Sequence, residues 1–185
     1  MRYLAILFFL GGCADDLSSG TTVSETGAGF TIVDGDVTID ATDEKLWVYF
    51  NLSDQQVVEP ADPENDTTWD IGLKRYNVKL NGGISGVGEV EAAELMSEDY
   101  SLLQMAPADG YMTDEADSDG DGVDEYALGT WYDYDYMTHV LTAADKVYVL
   151  RTVNGAYVKL QFQDYYDDAG TSAMVQFSYA SVEAP

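Results

Sequence analysis

The densest chemistry in the chain lies at Asp117-Ser118-Asp119-Gly120-Asp121-Gly122-Val123-Asp124-Glu125. Carboxylates recur at alternate positions, and a glycine follows the third. Hard oxygen ligands at the first, third and fifth positions can wrap a calcium ion, while a glycine at the sixth permits the sharp turn. The expected ligands are Asp117, Asp119 and Asp121, with the Val123 carbonyl as a further donor. An EF-hand loop would close on a glutamate at its twelfth position, but Leu128 stands there. Asp124 or Glu125 must then complete the shell, as in the shorter loops of extracellular proteins. The alternative is a solvated acidic turn. Carboxylates this close repel one another unless a cation neutralises them, which favours calcium.

Catalytic patterns are missing. The chain has one histidine, His139, and one cysteine, Cys13. No Gly-x-Ser-x-Gly elbow points to a serine hydrolase, and neither His-Glu-x-x-His nor Cys-x-x-Cys points to zinc. A glycosidase needs only two carboxylates, but among 34 acidic residues no pair stands out. The chain is therefore expected not to be an enzyme.

Cys13 has a different chemistry. Met1-Arg2 supplies a positive charge, Tyr3 to Leu10 is apolar, and Leu10-Gly11-Gly12-Cys13 follows. A charged start, a short apolar core and small residues before a cleavage point make a secretory signal. The run is too short to span a bilayer as a helix, which needs about 20 apolar residues. Leu-Gly-Gly-Cys is similar to the bacterial lipobox, whose cysteine is acylated. The expectation is a signal peptide over 1–12 and lipidation at Cys13, on an exported bacterial lipoprotein. An acylated Cys13 leaves no thiol for disulfides or metal ligation, so the domain must rest on its core.

Charge narrows the partners. The formal net charge is -26, from 34 acidic and 8 basic residues. Nucleic acid is not an expected partner, because binding it requires Lys and Arg to neutralise phosphates. Anionic headgroups are disfavoured likewise, so attachment to the membrane falls to the lipid anchor. Hydrophobic residues make up 46% of the chain, including 14 Tyr, which is enough for a core.

The elements that must position these groups read as β throughout. Residues 13–28 form a lipidated tether that is polar, small and rich in Gly, Ser and Thr. Residues 29–185 read as a single all-β domain of antiparallel sheets with long irregular loops. Leu46 to Leu52 is β-branched and aromatic. Lys146–Thr152 and Tyr157–Gln163 flank Asn154-Gly155, a hairpin signal that implies positive φ at both turn residues. Val158, Leu160 and Phe162 share one face of the second arm, with Tyr157, Lys159 and Gln161 opposite. Val175, Phe177 and Tyr179 alternate in the next strand, so the C-terminal third predicts a three-stranded meander. Residues 89–100 fit a weak helix or a strand. Residues 97–145 are irregular, and such long segments are usually functional or disordered.

Trp69-Asp70-Ile71-Gly72-Leu73-Lys74-Arg75-Tyr76-Asn77-Val78, followed by Leu80-Asn81-Gly82-Gly83, resembles the HmuY family of haem-binding lipoproteins. Trp131-Tyr132-Asp133-Tyr134, Val147 to Thr152, Asn154-Gly155-x-Tyr157-x-Lys159-Leu160 and Tyr165-Tyr166 extend the likeness to roughly residues 45–180. Within the motif, Trp69, Ile71 and Leu73 alternate towards one face, and Asp70 and Arg75 are available for pairing. The strand is expected to build the sheet rather than touch a ligand.

The resemblance implies an all-β domain that takes haem between protruding loops, acquires iron from haem or host haemoproteins, and serves an outer-membrane haem transporter. Family members ligate haem iron with two histidines or two methionines. With His139 alone, a pair of histidines is impossible. Met105 and Met137 fall where the resemblance places the two ligands, with His139 a separate candidate and Met112 a weaker one. The alternative reading is a calcium-stabilised β lipoprotein that binds a protein or glycan and no haem.

Overall fold

Period-two alternation decides which side of each strand turns inward, and here it assembles two antiparallel sheets around one core. The structure is a computed structural model that describes residues 35–185. The predicted signal peptide, Cys13, the tether and the first residues of the domain lie outside that range. The larger sheet has the order β1 (Gly35–Asp40), β12 (Ser172–Ser181), β11 (Tyr157–Tyr166), β10 (Lys146–Arg151), β6 (Glu91–Met96) and β7 (Tyr111–Met112). The smaller runs β3 (Gln56–Val58), β2 (Val48–Asn51), β4 (Ile71–Lys74) and β5 (Asn77–Leu80). A separate hairpin pairs β8 (Tyr132–Asp135) with β9 (Val140–Ala143).

The all-β expectation holds, and β10, β11 and β12 form the predicted meander. Val158, Leu160 and Phe162 of β11 meet Val175, Phe177 and Tyr179 of β12 in the core, together with Ile71, Leu73, Val78 and Leu80 of the smaller sheet. Phe50 of β2 packs edge-on against Phe177 at 5.9 Å and Tyr179 at 6.2 Å, joining the sheets. Burying each such side chain stabilises the fold by about 1.5–3 kcal/mol. Trp69 is fully buried and its indole N–H donates to the Pro63 carbonyl at 2.9 Å, a structural role as expected.

Four local expectations are refined. Residues 91–96 form a strand, because β10 offers a partner from Lys146↔Met96 to Arg151↔Glu91, and that pairing outweighs weak helical periodicity. At the Asn154-Gly155 tip, Thr152 and Ala156 close a three-residue loop through Thr152 N to Ala156 O at 2.9 Å. Only Gly155 then needs a left-handed φ, which is 75°, and Asn154 does not adopt one. Asp70 and Arg75 do not pair: Asp70 accepts backbone N–H groups, while Arg75 donates to the Thr42 carbonyl and the Ser172 hydroxyl. Lys159 lies on the outer face yet is buried. Residues 100–103 fold over it, and its Nζ donates to the carbonyls of Tyr100 and Leu103 at 2.7 and 3.0 Å.

Candidate functional site

The β8–β9 hairpin carries the most exposed aromatic and sulfur-bearing side chains at any turn of the described fold. Its root is rigid. Trp131 is fully buried against Phe162 at 4.5 Å between ring centroids, and its indole N–H donates to the Tyr76 carbonyl at 2.8 Å. The Tyr132 ring rests edge-on against Tyr76, and the Leu141 N–H donates to the Tyr166 hydroxyl at 3.2 Å. Beyond the root the hairpin leaves the core.

Asp135 makes the turn. Its carboxylate accepts the Met137 N–H at 2.7 Å, and its carbonyl accepts the His139 N–H at 2.8 Å. The Met137 hydrogen bond, followed by bonds from Thr138, holds the Asp135 carboxyl below its ordinary range. His139 closes the turn at a left-handed φ of 59°.

Tyr136 and Met137 project into solvent, 81% and 89% exposed. The Tyr134 ring packs edge-on against Tyr136, and its hydroxyl lies 2.6 Å from His139 Nδ1. With the proton on Nδ1 and donated to that oxygen, the Nε2 lone pair is free for a metal. One tight turn thus presents an imidazole, a thioether and two aromatic rings.

Met105 is elsewhere. It bridges Glu183, and Val182 N–H donates to the Tyr157 carbonyl, which places Met105 at the Tyr157 end of β11. The hairpin meets the Tyr166 end, and the ten-residue β11, roughly 30 Å long, lies between the two. The fold does not bring the Met105 and Met137 sulfurs together, because the long β11 intervenes between their segments. Met112 lies on β7, at the edge of the larger sheet. Met96 was missed in the sequence. It is 62% exposed and sits opposite Lys146, whose N–H donates to Ala144 at the hairpin root. Its proximity depends on sheet order, which no local pattern records.

The acidic loop is built on a second anchor. Asp114 is buried and accepts the N–H groups of Leu80 and Ala127 at 2.8 and 2.9 Å. Glu115 and Glu125 exchange backbone hydrogen bonds, both 2.9 Å, and return the chain on itself. Gly120 and Gly122 take left-handed φ, as the loop pattern requires. One carboxylate oxygen each from Asp117, Asp119 and Glu125 lies within 4.8 Å of the others. Asp121 and Asp124 are not in this group. Asp121 accepts the Val123 N–H and Asp124 the Asp117 N–H, so both are engaged in shaping the loop. The ladder brings Glu125 inward instead.

A cavity of about 310 Å³ lies on the outer face of the larger sheet and is lined by Asp36, Thr38, Gln163, Gln176 and Ser178 among others. Its polar walls do not suit an apolar macrocycle, and no candidate iron ligand reaches it. Among the described residues no helix is long and apolar enough to cross a membrane.

The fold has solved relatives. The apo HmuY analog of Tannerella forsythia is 21% identical with a TM-score of 0.63, over 81% of this chain and 96% of that one. A candidate lipoprotein of Bacteroides fragilis is 25% identical with a TM-score of 0.59, over 82% and 95%. A candidate HmuY-like heme-binding protein of Bacteroides vulgatus is 24% identical with a TM-score of 0.57, over 80% and 91%. No curated protein matches the chain in sequence. The model of the HmuY protein family matches residues 43–179, a stretch that holds the smaller sheet, the acidic loop and the whole hairpin. The chain belongs to the HmuY family.

Proposed function

We propose that the protein is an exported lipoprotein of the bacterial outer membrane that binds haem at the tip of the β8–β9 hairpin and delivers it to an outer-membrane transporter. Host haemoproteins are the corresponding source. The observation that carries this reading is the rigidly rooted turn that holds His139 and Met137 in solvent beside two aromatic rings. Haem offers an apolar macrocycle and an iron with axial positions for soft or imidazole donors, and the donor set of the turn fits it. His139 Nε2 and Met137 Sδ are the candidate ligands, the Tyr134 hydroxyl orients the imidazole, and the Tyr134 and Tyr136 rings supply flat apolar surface. Met105 belongs to a different part of the surface and does not share that iron in this arrangement.

Titrating the mature protein with hemin tests this. A Soret shift is expected, weakened about tenfold or more by His139→Ala or Met137→Ala, and unmoved by Met105→Ala. Thioether ligation favours ferrous iron, so dependence on Met137 should grow on reduction. Tyr134→Phe should lower affinity without abolishing it. An unchanged spectrum in both redox states rejects the proposal.

The convergence of Asp117, Asp119 and Glu125 supports a second reading, a calcium-stabilised β lipoprotein that binds a protein or glycan. Extracellular calcium loops bind at roughly 10⁻⁴–10⁻³ M. At a hundredfold excess over the dissociation constant the fold gains about 2.7 kcal/mol, so the melting temperature should climb with added calcium and drop with a chelator. Asp119→Ala with Glu125→Ala should remove the response, and Asp121→Ala should only reduce it. A melt indifferent to both additives leaves the loop a solvated turn.

A further inference from the structure

The outer face of the smaller sheet holds two cations on one aromatic ring. Lys79 Nζ lies 4.6 Å from the centre of the Trp47 ring and 5.3 Å from those of Tyr49 and Trp69. Lys74 Nζ lies 4.7 Å from the same Trp47 ring. Tyr49, Gly72 and Lys79 are register partners across β2, β4 and β5, and the glycine makes the arrangement possible. A Cβ on Gly72 would meet Lys79 Cγ and Cε at 3.2 Å, a tight approach, so the glycine leaves room for the lysine stem to lie across the strand towards the rings.

Lys79 is only 9% exposed. Among the described residues no carboxylate lies within ion-pair distance of either Nζ, whereas Lys146 and Arg151 each have a glutamate partner. Among the described residues no hydrogen-bond acceptor engages either ammonium. Asp114, Glu64 and Asp124 act on Lys79 only through their longer-range fields, and Lys74 opposes them. Burial, the largest influence, pushes the Lys79 ammonium below its ordinary range. Ring faces offset only part of the cost of desolvating a cation.

We propose that Lys74 and Lys79, held against Trp47, form a binding site for a small oxyanion, a carboxylate or phosphate group. Such a group, held by Lys79 and reached by the more exposed Lys74, accepts charge-assisted hydrogen bonds and offsets the repulsion between the two cations. The rings form an apolar wall for whatever carries it. The site is separate from the hairpin turn, so it stands or falls apart from haem binding.

The test titrates the mature protein with inorganic phosphate and, separately, with acetate, against chloride at matched ionic strength. Tryptophan fluorescence and the melting temperature are followed. Saturable changes with one anion beyond chloride are expected, and the anion that acts names the group. Lys79→Met keeps the apolar stem and removes the charge. It should abolish saturation and melt no lower than the wild type in the absence of anion. Lys74→Met, at a more open position, should weaken binding about tenfold. Overturning results are a response equal to chloride, saturation that survives Lys79→Met, or a Lys79→Met protein that unfolds while Lys74→Met binds as the wild type does.

Discussion

Replacing Cys13 by serine is expected to move the protein almost entirely from the membrane fraction to the soluble fraction. Each acyl methylene buried in a bilayer contributes about 0.8 kcal/mol, and stable anchoring takes more than one chain or a chain with a polybasic patch. The polypeptide can supply no such patch, since its net charge is -26 and anionic headgroups repel it. No helix of the described residues crosses the membrane in its place. On the proposed reading the acyl groups on Cys13 account for nearly all of the attachment, and a serine hydroxyl would not receive them. Fractionation of cells that express the variant, with the wild type alongside, reads the result. Membrane retention of the serine variant at the wild-type level would remove the lipoprotein from the proposal and leave the domain untouched.

Asp70→Ala should destabilise the domain by about 2–6 kcal/mol, because each of two buried donors left unsatisfied costs about 1–3 kcal/mol. Asp70 is fully buried, and both of its oxygens are used. Oδ2 accepts the Leu52 N–H at 2.8 Å, at the end of β2, and Oδ1 accepts the Val153 N–H at 2.9 Å, in the turn between β10 and β11. One carboxylate therefore ties the smaller sheet to the larger, and alanine leaves two buried donors without acceptors. Against a total stability of roughly 5–15 kcal/mol, the melting temperature should fall by about 10 °C or more. A melt within a degree or two of the wild type would show that the clamp is dispensable.

The same group has a pH signature. Burial raises the Asp70 carboxyl above its ordinary value despite the two backbone hydrogen bonds, and burial raises Asp114 too. A raised folded value means that the folded state holds the proton more tightly than the unfolded chain. That contribution to stability is complete below the unfolded value and is lost as pH rises through the folded one. Stability should thus decline with rising pH across this window, and Asp70→Asn should flatten the slope. Asp40 and Asp167, lowered by hydrogen bonds at exposed turns, act in the opposite sense as pH falls.

What the sequence by itself determined is whatever rests on near neighbours. The alternation of Val158, Leu160 and Phe162 declared β11 and its inner face, because side chains two apart in a strand share a side. Asn154-Gly155 marked the hairpin, and the spacing of Asp117, Asp119 and Gly122 marked the loop, since both are local turn chemistry. The Trp69 to Val78 segment carried the family likeness, and the match to residues 43–179 agrees with it. Tertiary structure decided the rest. Asp70 and Val153 are 83 residues apart in sequence, so only the packing of one sheet on the other could reveal the clamp. Lys159 read as lying on the face opposite the core, and it is buried because a distant segment folds over it. Glu125 rather than Asp121 joins the acidic cluster because the Glu115–Glu125 ladder turns it inward. Met105 and Met137 carried equal weight as ligands while their separation was counted in residues. Sheet order put the length of β11 between them, and a metal site is a distance in space that chain spacing does not encode.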